Sequence, residues 1–294
     1  MKIFRALKSG IARALKAWKG ILIVWLCYLL LVLLIAIPAK NALNSGFGHS
    51  MLAEKLSNGF SPDVFGDLGQ LLKPVISWFS SGLIMIIMLS IIMNSFLSGG
   101  LFYSLKGTSV KFSSAEFFRA SARYFWSILV ITLIINIMLP ILALFIVGLP
   151  VSLAMQSNSG LGPVPFIINV IALAVVFLVL MTLLLVADYA RSWQVATEEP
   201  ACFRALGFGF DRTFRTYLSS FPMMLIVFTM QILFIWFVVE ILEPWKPQKG
   251  GGVFLLFLLS QFLFFTRLLL KTWRYASVTS LKEIDDVNQY NKLP

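Results

Sequence analysis

Apolar side chains recur at three- and four-residue steps from Phe4 through Leu7, Ile11 and Leu15 to Trp18, with Lys or Arg filling the positions between. That spacing gathers the apolar residues on one face of a helix and leaves the cations on the other. An unbroken apolar run over 20–37 follows at once. At about 1.5 Å per residue it nearly matches a hydrocarbon core of about 30 Å. The same succession then returns. Phe4-Arg5-Ala6-Leu7 comes back as Phe203-Arg204-Ala205-Leu206, and Arg13, Lys16 and Trp18 are answered at the same offsets by Arg212, Arg215 and Tyr217. A shorter copy, Phe118-Arg119-Ala120 with Arg123 and Trp126, lies between them, and each copy leads into a long apolar segment. The pattern predicts an all-α integral membrane protein with six transmembrane helices. They form three repeated units, each a basic interfacial amphipathic helix followed by a transmembrane hairpin.

Taken in order, the expected elements are an N-terminal basic helix over 1–19, hairpin 1 over 20–105, an interfacial helix and hairpin 2 over 113–187, an interfacial helix and hairpin 3 over 200–271, and a cytoplasmic tail over 272–294. Crossings are expected at 20–38, 75–105, 124–148, 166–187, 217–239 and 253–270, all within a single membrane domain covering 1–294. The first apolar run exceeds the usual signal-peptide core of about 7–15 residues, so it is expected to be retained. Between the first two crossings, 39–73 is polar, with short amphipathic pieces at 51–56 and 64–72. Ser98-Gly99-Gly100 predicts a bend or the close approach of a neighbouring helix. Ser113 or Ser114 with Glu116 marks a helix start, and Pro140 predicts a kink.

Composition supports the membrane reading: 59% of residues are hydrophobic and only 13% charged, against about 45–50% and about 25% in soluble domains. The net charge of +11 raises nucleic acid as a partner, since basic patches are its footprint. The distribution of the charge excludes it. With both termini inside, 19 of the 24 Lys and Arg fall on the inner side, leaving Lys40, Lys55, Lys73, Lys246 and Lys249 outside, which obeys the positive-inside rule. Trp and Tyr cluster near the expected interfaces, as aromatic belts do. Cys27 and Cys202 fall at different levels and are expected unpaired. The single His49 has no clustered partners, so no metal site is expected. No phosphate loop, zinc-protease helix or nucleophile elbow occurs, and Gly207-Phe208-Gly209 lacks the third glycine of a dinucleotide site. The outer acids Glu54, Asp63, Asp67, Glu240 and Glu243 are scattered. No cofactor is implied, and a non-enzyme is expected.

Candidate functional residues are therefore the cations of the surface segments: Arg5, Arg13, Lys16, Arg119, Arg123, Arg204, Arg212, Arg215, Arg267 and Lys271, as a site for anionic phospholipid or a partner protein. For the first segment the plainer alternative is a charged N-terminus that only sets topology. Asn136, Gln231 and Gln261 fall near the middle of crossings three, five and six. They are either a polar site between helices or ordinary interhelical hydrogen bonds, worth about 0.6 kcal/mol each. Arg267, Lys271 and Arg274 share one helical face. Arg267 either snorkels to the interface or forms a structural ion pair with Asp188, and the stripe as a whole is a candidate for a lipid phosphate.

The three basic helices leading into hairpins, together with Phe203-Arg204-Ala205-Leu206 and Asp188-Tyr189-Ala190-Arg191, resemble the bacterial six-helix membrane proteins of unknown function. That group includes the YciC-like inner-membrane proteins and the membrane domain fused to some glycerophosphodiester phosphodiesterases. The resemblance implies a bacterial inner-membrane location and a non-catalytic membrane module. It brings no active-site residues, and the soluble phosphodiesterase domain has no counterpart in this chain. Two functions stay open: a structural or accessory subunit whose basic helices hold anionic lipid or a partner, which includes a second copy of the chain, and a transporter or flippase of a lipid-like or small apolar molecule.

Overall fold

The computed structural model describes residues 2–47, 73–106, 112–148, 164–242, 245 and 250–290. Its elements are α1 (Lys2–Lys16), α2 (Trp18–Phe47), α3 (Lys73–Ser104), α4 (Ser114–Ala143), α5 (Val164–Thr197), α6 (Cys202–Arg215), α7 (Tyr217–Leu242) and α8 (Gly250–Tyr290), with a π-helical turn at Leu144–Gly148 closing α4. Among the described residues no strand occurs. Six of these helices are long and apolar enough to cross a membrane, with mean hydropathies from 2.0 to 3.2. The chain is a multi-pass membrane protein. The short amphipathic pieces expected at 51–56 and 64–72 lie outside the described residues.

Where the sequence reads as a single domain over 1–294, the chain gathers into two compact units, residues 23–94 and the remainder. The first is formed by parts of α2 and α3, two neighbours in the chain, and it holds an apolar groove lined by Leu34, Ile35, Pro38, Gly82, Met85, Ile86 and Leu89. In the larger unit the core is built around α5. Met181, Leu185 and Tyr189, one helical turn apart, pack with Ala6, Leu7, Met223, Met224, Val227, Val278 and Leu281. Leu183, Val186, Ala187 and Ala190 face Ile131, Ile135, Ala205 and Leu206. From Met181 to Ala190 no residue of α5 is exposed, so this stretch packs against protein on every side. Exposed apolar side chains such as Ile137, Leu173, Trp236 and Phe254 lie toward the other end of α4, α5, α7 and α8, where lipid is their natural neighbour.

Two expectations are revised. The third copy of the basic motif is not a separate helix, because α4 runs without a break through Phe118-Arg119-Ala120 into its crossing. Ser113 does occupy the N-cap, although its side chain makes no capping hydrogen bond. Of the tail expected at 272–294, residues 272–290 form the second half of α8, a helix of 41 residues. Every residue from Arg274 to Lys282 is buried. Small side chains at Ala276, Ser277 and Ser280 let other helices approach it from several sides. Pro140 brings the π-helical turn that follows it, where the Leu144 N–H reaches the carbonyls of both Ile141 and Pro140. Such turns are a recognised cause of helix distortion.

Candidate functional site

Most buried polar side chains of the larger unit collect at one end, where α1, α6, the opening of α4 and the last turns of α5 and α8 meet. Asp188 on α5 is 0% exposed. Its Oδ2 lies 2.9 Å from Nε of Arg274 on α8, close enough for an ion pair though not aligned as a hydrogen bond. Nη2 of Arg274 and Nη1 of Arg191 each donate to its Oδ1 at 3.4 Å. Arg191 also donates to the Thr132 hydroxyl at 3.0 Å, and the Gln194 amide bonds to the Ser127 hydroxyl. One carboxylate thus faces two guanidiniums from two helices, in surroundings where an unpaired charge is costly. The Tyr189 hydroxyl is paired with Ser220 at 2.7 Å.

A second set of charges joins α1 and α6 to the end of α8. Arg13 makes two bonds to Glu283, at 2.5 and 3.0 Å, and Lys2 lies 3.2 Å from Asp285. Arg212, on α6, donates to Asp286 at 2.8 Å and to the Lys282 carbonyl at 3.3 Å. The acids that made 272–294 read as a mixed-charge tail are therefore the sockets for cations of two surface helices. Arg215, three residues on, sits exposed beside Asp211 at 3.6 Å. Replacing Arg212 with Gln is expected to cost about 1–3 kcal/mol, because it leaves a buried carbonyl and a carboxylate without their donor. The same change at Arg215 should stay within about 0.5 kcal/mol, as exposed pairs do. Thermal unfolding of the two variants in one detergent checks the contrast; equal losses would show that Arg212 is not the anchor.

A third contact closes the end of α5. Glu198 adopts a left-handed backbone, φ 60°, a conformation that costs a non-glycine residue roughly 1–2 kcal/mol. It is held there by Lys106, 2.9 Å from its carboxylate, and by Arg123, which donates to its carbonyl at 2.8 Å. The Lys106 hydrogen bond and charge hold its carboxyl below the usual carboxylate range. The contact is thus complete above that range and lost only as pH falls through the lowered value.

The surface segments dock through small residues. A Cβ at Gly10 would come within 2.9 Å of the Ser277 backbone on α8, and one at Gly209 would lie 2.5 Å from the Val186 carbonyl oxygen on α5. At Gly100 on α3 it would meet Ser121 and the Phe117 carbonyl at 2.5 and 2.6 Å, and the Gly100 N–H donates to the Ser121 hydroxyl. Of the two readings of Ser98-Gly99-Gly100, the close approach is the one realised. The motif alanines Ala6, Ala120 and Ala205 are all buried in these contacts. The motif phenylalanines point away: Phe4 is 74% and Phe203 76% exposed. Ile11, Leu15, Trp18 and Phe214 are exposed with them.

Of the candidate cations, Arg5, Lys16, Arg119, Arg123, Arg204, Arg215 and Arg267 are exposed, and Arg13 and Lys271 are half-buried. Arg212 departs from that group: it is buried and committed to α8. The expected pair of Asp188 with Arg267 does not form. Arg267 is exposed and, among the described residues, joins no ion pair, while Arg274 takes its place. Seven residues along a helix is about 10 Å, and that is the depth by which Asp188 sits nearer the basic end than the sequence implied. Asn136 is exposed, Gln231 and Gln261 are half-buried, and no hydrogen bond links any of the three among the described residues. Arg191 is the charge that sequence reasoning leaves without a role, and Arg274 enters there only as part of the stripe offered to a lipid phosphate; the one visible signal for Arg191 is its helical spacing from Asp188. Cys27 and Cys202 are free. Among the described residues no three His, Cys, Asp or Glu side chains cluster as metal ligands would.

No family model, curated protein or solved structure matches this chain.

Proposed function

We propose that the protein is a non-catalytic bacterial inner-membrane protein, a structural or accessory subunit that binds anionic phospholipid through its basic segments, with both termini in the cytoplasm. The orientation rests on the excess of Lys and Arg at the end where α1 and α6 lie. The single observation that carries the reading is the division of labour on α1 and α6. Each is held to the bundle by a face of small residues, and each turns outward an apolar stripe flanked by cations: Phe4, Ile11 and Leu15 with Arg5 and Lys16 on α1, Phe203 and Phe214 with Arg204 and Arg215 on α6. A helix fixed in that attitude sits at the headgroup boundary, apolar stripe in the acyl region and cations among the phosphates, each cation contributing about 1 kcal/mol of attraction to an anionic leaflet.

The three basic segments further read as one device used in a cycle. The segment before crossing three rests on crossing two through Ser121 and Gly100. The segment before crossing five, α6, rests on crossing four through Gly209 and Val186. The segment before crossing one, α1, rests on the last crossing through Gly10 and Ser277. Two of the segments lean on the even-numbered crossing just before them and α1 leans on crossing six, which supports the three-unit reading of the repeat.

Native mass spectrometry of the protein released from its own membranes in minimal detergent tests the lipid reading. Retained anionic phospholipid is expected, reduced when Arg5, Lys16, Arg204 and Arg215 are changed together to Gln, with Arg212 left in place. Lipid retention unchanged in that variant would overturn it; a stoichiometric second protein would move the function to a complex. Asn136, Gln231 and Gln261 lend the transport alternative no converging polar site among the described residues.

A further inference from the structure

A cleft of about 100 Å³ opens where the ends of α3, α5 and α8 meet, lined by Phe102, Lys106, Ser192, Ala196, Thr279 and Lys282. Its acids are already used: Glu283 is taken by Arg13 and Asp286 by Arg212. Lys106, at the rim, pairs with Glu198. That leaves Lys282, only 6% exposed, with no carboxylate in ion-pair range among the described residues. Its Nζ lies 5.4 Å from the centroid of the Phe208 ring, a contact that favours a cation without neutralising it. A lysine so placed is costly unless an anion balances it, and Asp286 and Glu283, whose charges reach it through space, are already paired with Arg212 and Arg13. Beside it, the Ser192 hydroxyl is buried and finds no hydrogen-bond partner in the protein, while the Thr279 hydroxyl is spent on the Tyr275 carbonyl.

We propose that this cleft binds a phosphate group, held by the Lys282 ammonium and the Ser192 hydroxyl, with Lys106 at the rim. A point-charge ammonium with a free hydroxyl donor suits a tetrahedral oxyanion. The cleft is far smaller than the roughly 300–1,000 Å³ of pockets that enclose a drug-sized ligand, so the group recognised is the phosphate itself and not a nucleoside. Two sources fit that chemistry, the phosphodiester of an anionic phospholipid at the membrane surface and a soluble phosphate or phosphomonoester. The site shares no residue with the exposed faces of α1 and α6.

The test uses the full chain in nanodiscs of neutral lipid. Inorganic phosphate is titrated at constant ionic strength, and separately the neutral nanodiscs are doped with phosphatidylglycerol; the readouts are the unfolding midpoint and the retained lipid mass. Wild-type protein is expected to bind one of the two probes, and Lys282→Met to bind it about tenfold more weakly or worse, the size set by losing a charge-assisted hydrogen bond. Response to phosphate identifies a soluble ligand; response to phosphatidylglycerol alone identifies a lipid headgroup. Ala196→Leu at the exposed edge of the cleft keeps every charge and narrows the space, so it should reduce binding as well and serves if Lys282→Met fails to fold. The quadruple Gln variant of the surface helices should keep this binding, which separates the site from the surface-lipid reading. No response to either probe, or responses equal in wild-type protein and in the folded variants, would overturn the proposal.

Discussion

Changing Asp188 to Asn is expected to destabilise the protein by about 3–5 kcal/mol, the range for breaking a buried ion pair from one side. The substitution keeps the shape and removes the one negative charge between Arg191 and Arg274, leaving two guanidiniums buried with nothing to balance them. Because the cost is an uncompensated charge, removing a second charge should return part of it. Asp188→Asn combined with Arg274→Met is expected to recover more than half of the loss, with the Asn still able to accept from Arg191. Arg267→Met is the control, since its exposed side chain joins no ion pair among the described residues; a change within about 0.5 kcal/mol is expected. Unfolding in a denaturing detergent series, followed by far-UV circular dichroism, gives all four values. An Asp188→Asn protein as stable as its parent would mean that the carboxylate is not what holds α5 to α8.

Alanine in place of Gly209 is expected to cost about 1–3 kcal/mol through overpacking, while alanine at Gly207, two residues away on the same helix, should stabilise by about 0.5–1 kcal/mol through helix propensity alone. The difference is steric. The added carbon at Gly209 would press on the Val186 carbonyl and on Ala190, whereas at Gly207 nothing lies within 4 Å. Cys202 packs beside the core that α6 covers, so its rate of labelling by a maleimide gives a local readout of undocking. Faster labelling in Gly209→Ala and unchanged labelling in Gly207→Ala are the expected results. Matched effects at the two positions would show that α6 is not seated through its glycine face.

The long apolar runs made the crossings legible, because a span must be hydrophobic over its whole length wherever it packs. The basic motif was legible as a repeat, but which of its residues touch protein was not. Periodicity picks out Phe4, Leu7, Ile11 and Leu15 as a face, yet of these only Leu7 is buried, and the docking face is Ala6, Gly10 and Ala14. In lipid a large apolar side chain gains little by turning inward, whereas a small one allows backbones to approach, so hydrophobicity marks the wrong side of a membrane-bound helix. The second half of α8 was misread for a related reason. Arg274-Tyr275-Ala276-Ser277 followed by Val278-Thr279-Ser280 has no apolar periodicity because it has no outward face. The pairing of Asp188 with Arg274 and not Arg267 depends on how far two helices slide past each other, which no local pattern records.

The docking of α1 on α8 also sets an order of events during synthesis. Gly10 must wait for Ser277, and at about 5–20 residues per second the interval between them is on the order of 15–50 s. Until then α1 can meet only the α5 and α7 side chains that pack with Ala6 and Leu7, and the rest of its docking face waits for α8. On the proposed lipid reading, the stripe of Phe4, Ile11 and Leu15 with its cations would give the nascent segment a resting place on the bilayer. α8, made long after α1, is then the helix that completes its seat.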